Sequence, residues 1–500
     1  MREPSATIRT TPSSATKAEA WGSVYLVGIG GCGMSGLARY LRALGADVSG
    51  SDMTRSRVTE ALLDEGIDVR FEQDAGEVPE GCNTVIASAA IKPGHAEIMR
   101  AEHRGLRVLS YAEALGLCML GKTGVSIAGT HGKSTTVGML GHALIQSGLE
   151  PTVIIGATST ALGGENGSSG FRQGEPVIPR GSRAGEPGIL IAESCEFNRS
   201  FHHHRPTVGA ITCVEADHLD VYGSLDAVVK AFGEFAQLVP NAKDGGTLII
   251  GHEGAHRREI TGGVTCDVQT LGFAPAADWQ VTFDSVRRLV GLVRKGKPIA
   301  HWTNLSPGDH MALNSAFAAA IAITLGAEPA KVAEALSSFP GVDRRMQLLG
   351  EKPSPAGGAV RVYDDYGHHP TEIDETLRAI REYEFADGHG GRLICVFQPH
   401  QHSRTRFLLD EFAQSFSRAD VVIVPHIFFV RDSEVEKSRV SAADLVDRLR
   451  ARGVLAMHLY PFEAIVEQLQ NVCRGGDVLV VMGAGPVWQV ARGFMESGAS

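Results

Sequence analysis

The segment that most restricts the fold is Gly129-Thr130-His131-Gly132-Lys133-Ser134-Thr135. It lies between the apolar run Val125-Ser126-Ile127-Ala128 and a stretch with Val137, Leu140 and Leu144 on one helical face. A buried strand that passes through a glycine loop directly into a helix is the repeating unit of a parallel α/β sheet. The backbone N–H groups of such a loop point at phosphate oxygens, and the helix dipole favours the anion. Lys133 adds positive charge for a transferring phosphoryl group, and Ser134 offers a hydroxyl to Mg²⁺. The spacing is two residues shorter than GxxxxGK[ST], so the loop is a variant, and it predicts an ATP site.

The same grammar recurs along the chain. Apolar runs at 24–27, 189–192, 208–214, 360–363, 393–397, 421–424 and 478–482 read as buried strands with helical stretches between them. A chain of 500 residues exceeds one ordinary core. The runs divide it into three α/β units, expected at 21–121, 122–343 and 344–500. Residues 1–20 are rich in Ser, Thr, Ala and Pro, lack the apolar centre of a signal peptide, and read as a disordered tail. The Gly-rich stretch from Ala157 to Gly188 reads as a long mobile loop.

A second glycine loop, Gly28-Ile29-Gly30-Gly31-Cys32-Gly33, follows the run Val24 to Val27 and precedes an expected helix from Met34 to Leu44. Gly28, Gly30 and Gly33 fit the spacing that lets a backbone approach a diphosphate, and Asp52 ends the next strand, where an acid can accept from ribose hydroxyls. This loop alone fits NAD and a UDP-sugar equally. The net charge of −10 argues against nucleic acid or an anionic membrane as partner. Eight scattered cysteines with no CxxC pair indicate a reduced, cytoplasmic protein, and no apolar window reaches the length of a membrane span.

Further polar groups cluster where strands end, which is where open α/β sheets bind ligands. Glu193 follows Ile189 to Ala192 and is a candidate metal ligand; His218, in Glu215-Ala216-Asp217-His218, is a second. His202-His203-His204 are consecutive and cannot all face one ion, so they read as loop. Asp364-Asp365-Tyr366-Gly367-His368-His369 and the segment from Gln398 to Arg406 suit an anionic substrate and a charged transition state.

Taken together, GIGGCGMSGLARYL, VSGSD, GTHGKST, IAESCEF, VEADHLDVY, HMALN, RRM, DDYGHHPTE, FQPHQHSRTR and the GAG at Gly483 resemble the Mur ligase family, in order, over nearly the whole chain. The resemblance implies an N-terminal Rossmann-like UDP-binding domain, a central P-loop ATPase domain and a C-terminal Rossmann-like domain that closes over the site. It implies an ATP- and Mg²⁺-dependent ligase that joins L-alanine to the carboxylate of UDP-N-acetylmuramate through an acyl phosphate, acting as monomer or homodimer. The alternative is a sister activity that attaches a whole murein tripeptide; those members carry a Phe-Ala pair where this chain has Tyr366-Gly367. Gly28, Gly30, Gly31, Gly33, Met34, Ser35 and Asp52 would meet the UDP substrate. Gly129 to Thr135, Asn314 and Arg345 would meet ATP, with Ser134, Glu193 and His218 as metal ligands. Tyr366, His368, His369 and Arg404 would face substrate and acceptor; Lys133, His218, Arg345, His368 and Arg404 would carry the chemistry. Three positions depart from the family: Cys195 where many members have Asp, Met311 where an Asn usually follows the His, and Gln401 where some have Arg.

Overall fold

The computed structural model describes residues 21–73, 76–92, 94–163, 169–354, 357–386, 390–430 and 432–497. The expected N-terminal tail lies outside them. The described chain forms three sheets in sequence order. The first is a five-stranded parallel sheet in the order Asp68–Arg70, Asp47–Ser51, Ser23–Val27, Thr84–Ala87, Arg107–Ser110. The order reverses beside Ser23–Val27, so the first glycine loop opens at the switch point, where ligands settle in such sheets.

The central sheet has ten strands. Its middle is parallel: Thr247–Gly251, Val208–Ile211, Thr123–Ala128, Ile189–Glu193 and Thr152–Ser159 lie side by side. These strands are almost entirely buried, as continuous β-branched runs between two helical layers must be. The strand at Val208 ends at Ile211, three residues short of the expected limit, because the chain then turns to tie down the phosphate loop. One edge carries an antiparallel meander, Trp279–Asp284, Leu289–Arg294 and Lys297–Thr303, which the apolar-run pattern did not predict.

The Ala157–Gly188 stretch is corrected by the structure. Ser169–Arg172 pairs antiparallel with Thr152–Ser159 as the far edge strand, Val177 bridges to Pro187, and Ile178 is buried. Backbone pairing, rather than an apolar pattern, organises this segment. The third sheet is parallel except for its first strand, in the order Gln347–Pro353, Ala359–Asp365, Val478–Met482, Leu393–Phe397, Val421–Val424, Leu455–His458.

Two packing facts position the site. The helix Cys32–Ala43, which begins two residues earlier than expected, lies against Thr152–Ser159 and Ser169–Arg172. Its Leu37 and Leu41 share one apolar cluster with Ile154, Leu190 and Ala192 of the central sheet. On the other side the helix Pro370–Glu384 of the third unit meets Asp309–Thr324 of the central one. The open ends of the central and third sheets thereby face each other. No helix among the described residues is long and apolar enough to cross a membrane.

Candidate active site

The phosphate loop is held in shape by its neighbours. Gly132 has φ +81°, and a Cβ there would lie 2.3 Å from Asn314 Oδ1, so only glycine lets the loop pass the helix Asp309–Thr324. Thr130 N donates to Cys213 O (2.9 Å), and Glu215 N donates to Thr130 Oγ1 (2.9 Å). The Lys133 ammonium curls over the loop and donates to Gly129 O (2.5 Å), Thr130 O (3.1 Å) and Glu196 Oε2 (2.9 Å). Burial opposes its charge, but Glu196, with Cys195 and Glu193 nearby, outweighs burial and raises its pKa above the usual lysine value.

The expected metal ligands divide. Ser134 Oγ donates to Glu193 Oε2 (2.9 Å), which also accepts from Gly156 N (3.0 Å). His218 gathers instead with Glu196 and Asp217, one donor atom of each lying within 4.8 Å of the others. Glu196 was missed because it stands three residues beyond the strand end, in a turn whose course depends on tertiary contacts. The carboxylate oxygens and the Ser134 hydroxyl are the hard oxygen donors that Mg²⁺ takes, with the His218 imidazole beside Glu196 and Asp217. Burial holds the His218 imidazole below its ordinary pKa and so neutral, as a ligand must be.

The third unit supplies the opposite wall. Arg345 lies over the Tyr366 ring, 4.7 Å from its centroid, and its Nη2 donates to Ser134 Oγ at 3.4 Å, so it reaches the phosphate loop as expected. Asp365 accepts from Met346 N and Gly367 N, both at 2.6 Å; burial lifts its pKa to about 6. It too was missed, being one of two adjacent acids in the sequence. His368 packs edge-on to Tyr366, and burial with nearby Arg404 pushes its pKa down to about 3. His369 caps the helix Pro370–Glu384 and lies against His131, ring centroids 4.7 Å apart.

Arg404, expected to face substrate, is buried, and its guanidinium donates from Nη2 and Nε to Asp217 Oδ1, at 2.9 and 3.2 Å. A buried guanidinium requires a carboxylate partner, and Asp217 of the central unit provides it. The pairing holds the Asp217 carboxyl far below its usual range despite burial.

Between these walls lies a cleft of about 140 Å³ whose lining includes Gly132, Thr135, Asn314, Met311 and Arg345. Thr136 Oγ1 donates to Asn314 Oδ1 (3.4 Å), and the Met311 sulfur, 4.0 Å from Asn314 Nδ2, replaces an amide with an apolar surface. At the first glycine loop Gly30 N donates to Asp52 Oδ2 (2.9 Å), so this acid braces the loop. Cys32 and Ser35 line a second cleft with Arg39 and Arg57, closed by Thr158 and Ser169 of the central sheet. The Met34 side chain is packed in the apolar core, leaving only its backbone available to a ligand. His202 and His203 lie in the short 3₁₀ helix Phe197–His203 and not in a loop as expected, and the three histidines do not converge. His204 is buried between Ser126 and Ser194, and His202 stacks on Phe201.

Residues 23–123 match the Mur ligase family catalytic domain, 127–322 the Mur ligase middle domain and 344–485 the Mur ligase glutamate ligase domain. The chain belongs to the Mur ligase family. Among curated relatives, this Mur ligase is 38% identical to the UDP-N-acetylmuramate–L-alanine ligase of Kineococcus radiotolerans, with 94% of each chain covered. It is 36% identical to the enzyme of the same name from Desulfitobacterium hafniense, covering 94% of this chain and 99% of that one. Among solved structures, UDP-N-acetylmuramate-alanine ligase from Thermotoga maritima superposes with a TM-score of 0.74 at 24% identity, covering 95% and 98% of the two chains. A murein peptide ligase from Psychrobacter arcticus superposes with a TM-score of 0.70 at 22% identity, covering 94% and 98%. Both confirm the three-domain α/β fold.

Proposed function

We propose that this Mur ligase joins L-alanine to the carboxylate of UDP-N-acetylmuramate at the expense of ATP, in the cytoplasm, as a step of peptidoglycan precursor synthesis. Its working units would be 21–121 for the UDP substrate, 122–343 for ATP and 344–500 for closure. The observation that carries the reading is the near-full-length likeness to curated L-alanine ligases. The geometry supports it: Lys133 and Ser134 on one wall of the cleft face Arg345 and Tyr366 on the other.

A carboxylate is a poor electrophile, so it must first be phosphorylated. Lys133 and Arg345 bracket the place where negative charge shifts during that transfer, and positioning plus charge neutralisation supply most of the rate. Mg²⁺ would neutralise phosphate charge when bound, with Ser134 and Glu193 as one group of oxygen ligands and Glu196 with His218 as a separate one. His368, held neutral by burial with a pKa of about 3, is too weak a base to deprotonate the ammonium of L-alanine and would instead orient substrate by hydrogen bonding. Closure of the third unit excludes water, which would otherwise hydrolyse the acyl phosphate.

Phosphate release from ATP and UDP-N-acetylmuramate tests the reading, with L-alanine, glycine, L-serine and murein tripeptide compared as acceptors. L-alanine should support the highest kcat/KM. Release with tripeptide alone would transfer the chain to the sister activity.

A further inference from the structure

Where the phosphate loop touches the helix Pro370–Glu384, three side chains converge that the ligase reading leaves without a joint role. They are His131 of the loop, Glu215 beyond the strand Val208–Ile211, and His369 at the helix cap. One donor atom from each lies within 4.8 Å of the other two. His131 Nε2 is 3.5 Å and His369 Nδ1 4.0 Å from Glu215 Oε2.

The outer partners distinguish this group from a chance cluster. His131 Nδ1 is 3.1 Å from Glu372 Oε1, and His369 Nε2 is 3.3 Å from Ala216 O. Against burial, Glu372 and Glu215 hold the His131 imidazole well above its ordinary pKa, so an ion would displace the Nε2 proton while Nδ1–H stays on Glu372; His369, its Nε2–H given to the Ala216 carbonyl, keeps a lone pair on Nδ1. His131 Nε2 and His369 Nδ1 are the two nitrogens that face Glu215. Metal-binding histidines are oriented in this way, with the second nitrogen donated to a carboxylate or carbonyl. His131 Nε2 is also buried with no hydrogen-bond partner. Thr371 holds the remaining pieces: its Oγ1 donates to Glu215 Oε2 (2.6 Å), and its N–H reaches His369 Nδ1 at 3.3 Å, a long bond that a metal would replace.

We propose that His131, Glu215 and His369 form a second divalent-metal site, selective for Zn²⁺, that ties the central unit to the third. Two imidazoles and one carboxylate are a zinc donor set, whereas Mg²⁺ takes oxygen ligands. The group is distinct from Glu196, Asp217 and His218. Because His131 belongs to the phosphate loop and His369 to the closing unit, an ion here fastens the nucleotide cleft shut. Zn²⁺ then slows nucleotide exchange even when Mg²⁺ is saturating.

The test uses the full-length protein in excess Mg²⁺, titrated with Co²⁺ as a spectroscopic stand-in. The wild type should bind one Co²⁺ per chain with the intense visible band of four- or five-coordinate geometry, and Zn²⁺ should displace it. Glu215→Gln and His369→Gln should each weaken binding at least about ten-fold, the effect expected from loss of one of three ligands, while Glu196→Gln should leave it unchanged. In parallel, Zn²⁺ should slow release of a fluorescent ADP analogue from the wild type and not from Glu215→Gln. A weak six-coordinate spectrum in the wild type, full binding by Glu215→Gln, or loss of binding only in Glu196→Gln overturns the proposal. Should one variant fail to fold, the wild-type spectrum and the other variant decide it.

Discussion

Gly367 has no side chain because a Cβ there would stand 2.6 Å from Asp365 Oδ1 and 2.9 Å from Met482 Cε. The turn therefore presses its backbone N–H onto the buried carboxylate that also receives Met346 N. Gly367→Ala should cost about 1–3 kcal/mol through overpacking and displace Asp365, lowering kcat; urea denaturation and phosphate release measure the two effects. Lys133→Ala should reduce turnover by about 10²–10³-fold through loss of transition-state charge stabilisation. UDP-substrate affinity, measured by calorimetry, should survive, because a different glycine loop would serve that ligand. Near-normal ADP release by this variant would remove Lys133 from the chemistry. Lys133 and Ser134 were readable in the sequence from the spacing of their loop, and Arg345 only through the family resemblance of its segment. Glu196, Asp217 and Asp365 were not, since each draws its role from a partner distant in the chain or from a tight turn: Lys133, Arg404 and the backbone at Met346.

At the scale of elements, the strands found from sequence are those buried on both faces, where apolar runs are continuous. The meander Trp279–Thr303 escaped notice because it buries one face, so its residues alternate and blend with loop composition. Ser169–Arg172 escaped because it is short and polar and exists by pairing with Thr152–Ser159. Ser441 with Asp444 forms a capping box at the start of the helix Ala442–Ala451, whose inner face buries Leu445, Val446 and Leu449. Ser441→Ala should cost about 1 kcal/mol with unchanged kinetics, a pairing of denaturation and rate that separates stability from catalysis. His204 gives an element of the central unit a pH dependence. Burial between Ser126 and Ser194 lowers its pKa to about 3, so the folded state stays neutral where the unfolded chain takes up a proton. Stability from this site is therefore complete above pH 6.5 and falls as the pH drops towards 3, by at most about 1.4 kcal/mol per unit. Thermal denaturation of His204→Leu against the parent should show that slope flattened.

Over the whole molecule, the central and third units share an apolar cluster that includes Met311, Phe317, Ile373 and Leu377, and polar pairs tie them across the cleft: Arg404 with Asp217, Thr371 with Glu215, His131 with Glu372. Removing one charge from a buried pair leaves its partner uncompensated. Asp217→Asn should destabilise the closed arrangement by about 3–5 kcal/mol and expand the particle in small-angle scattering. An unchanged radius would mean that the apolar contacts behind the cleft suffice for closure. The first unit is joined through another apolar cluster. Leu37 and Leu41 of its glycine-loop helix lie in one core with Ile154, Leu190 and Ala192, and Leu190 and Ala192 belong to the strand that ends at Glu193, beside Ser134. The loop proposed for the UDP ligand and the loop proposed for ATP are thus two rims of a single solid body. An acid bound on one rim meets a phosphate bound on the other at a separation fixed during folding. The entropy of bringing two reactants together is thereby settled when the chain folds, not at each catalytic cycle.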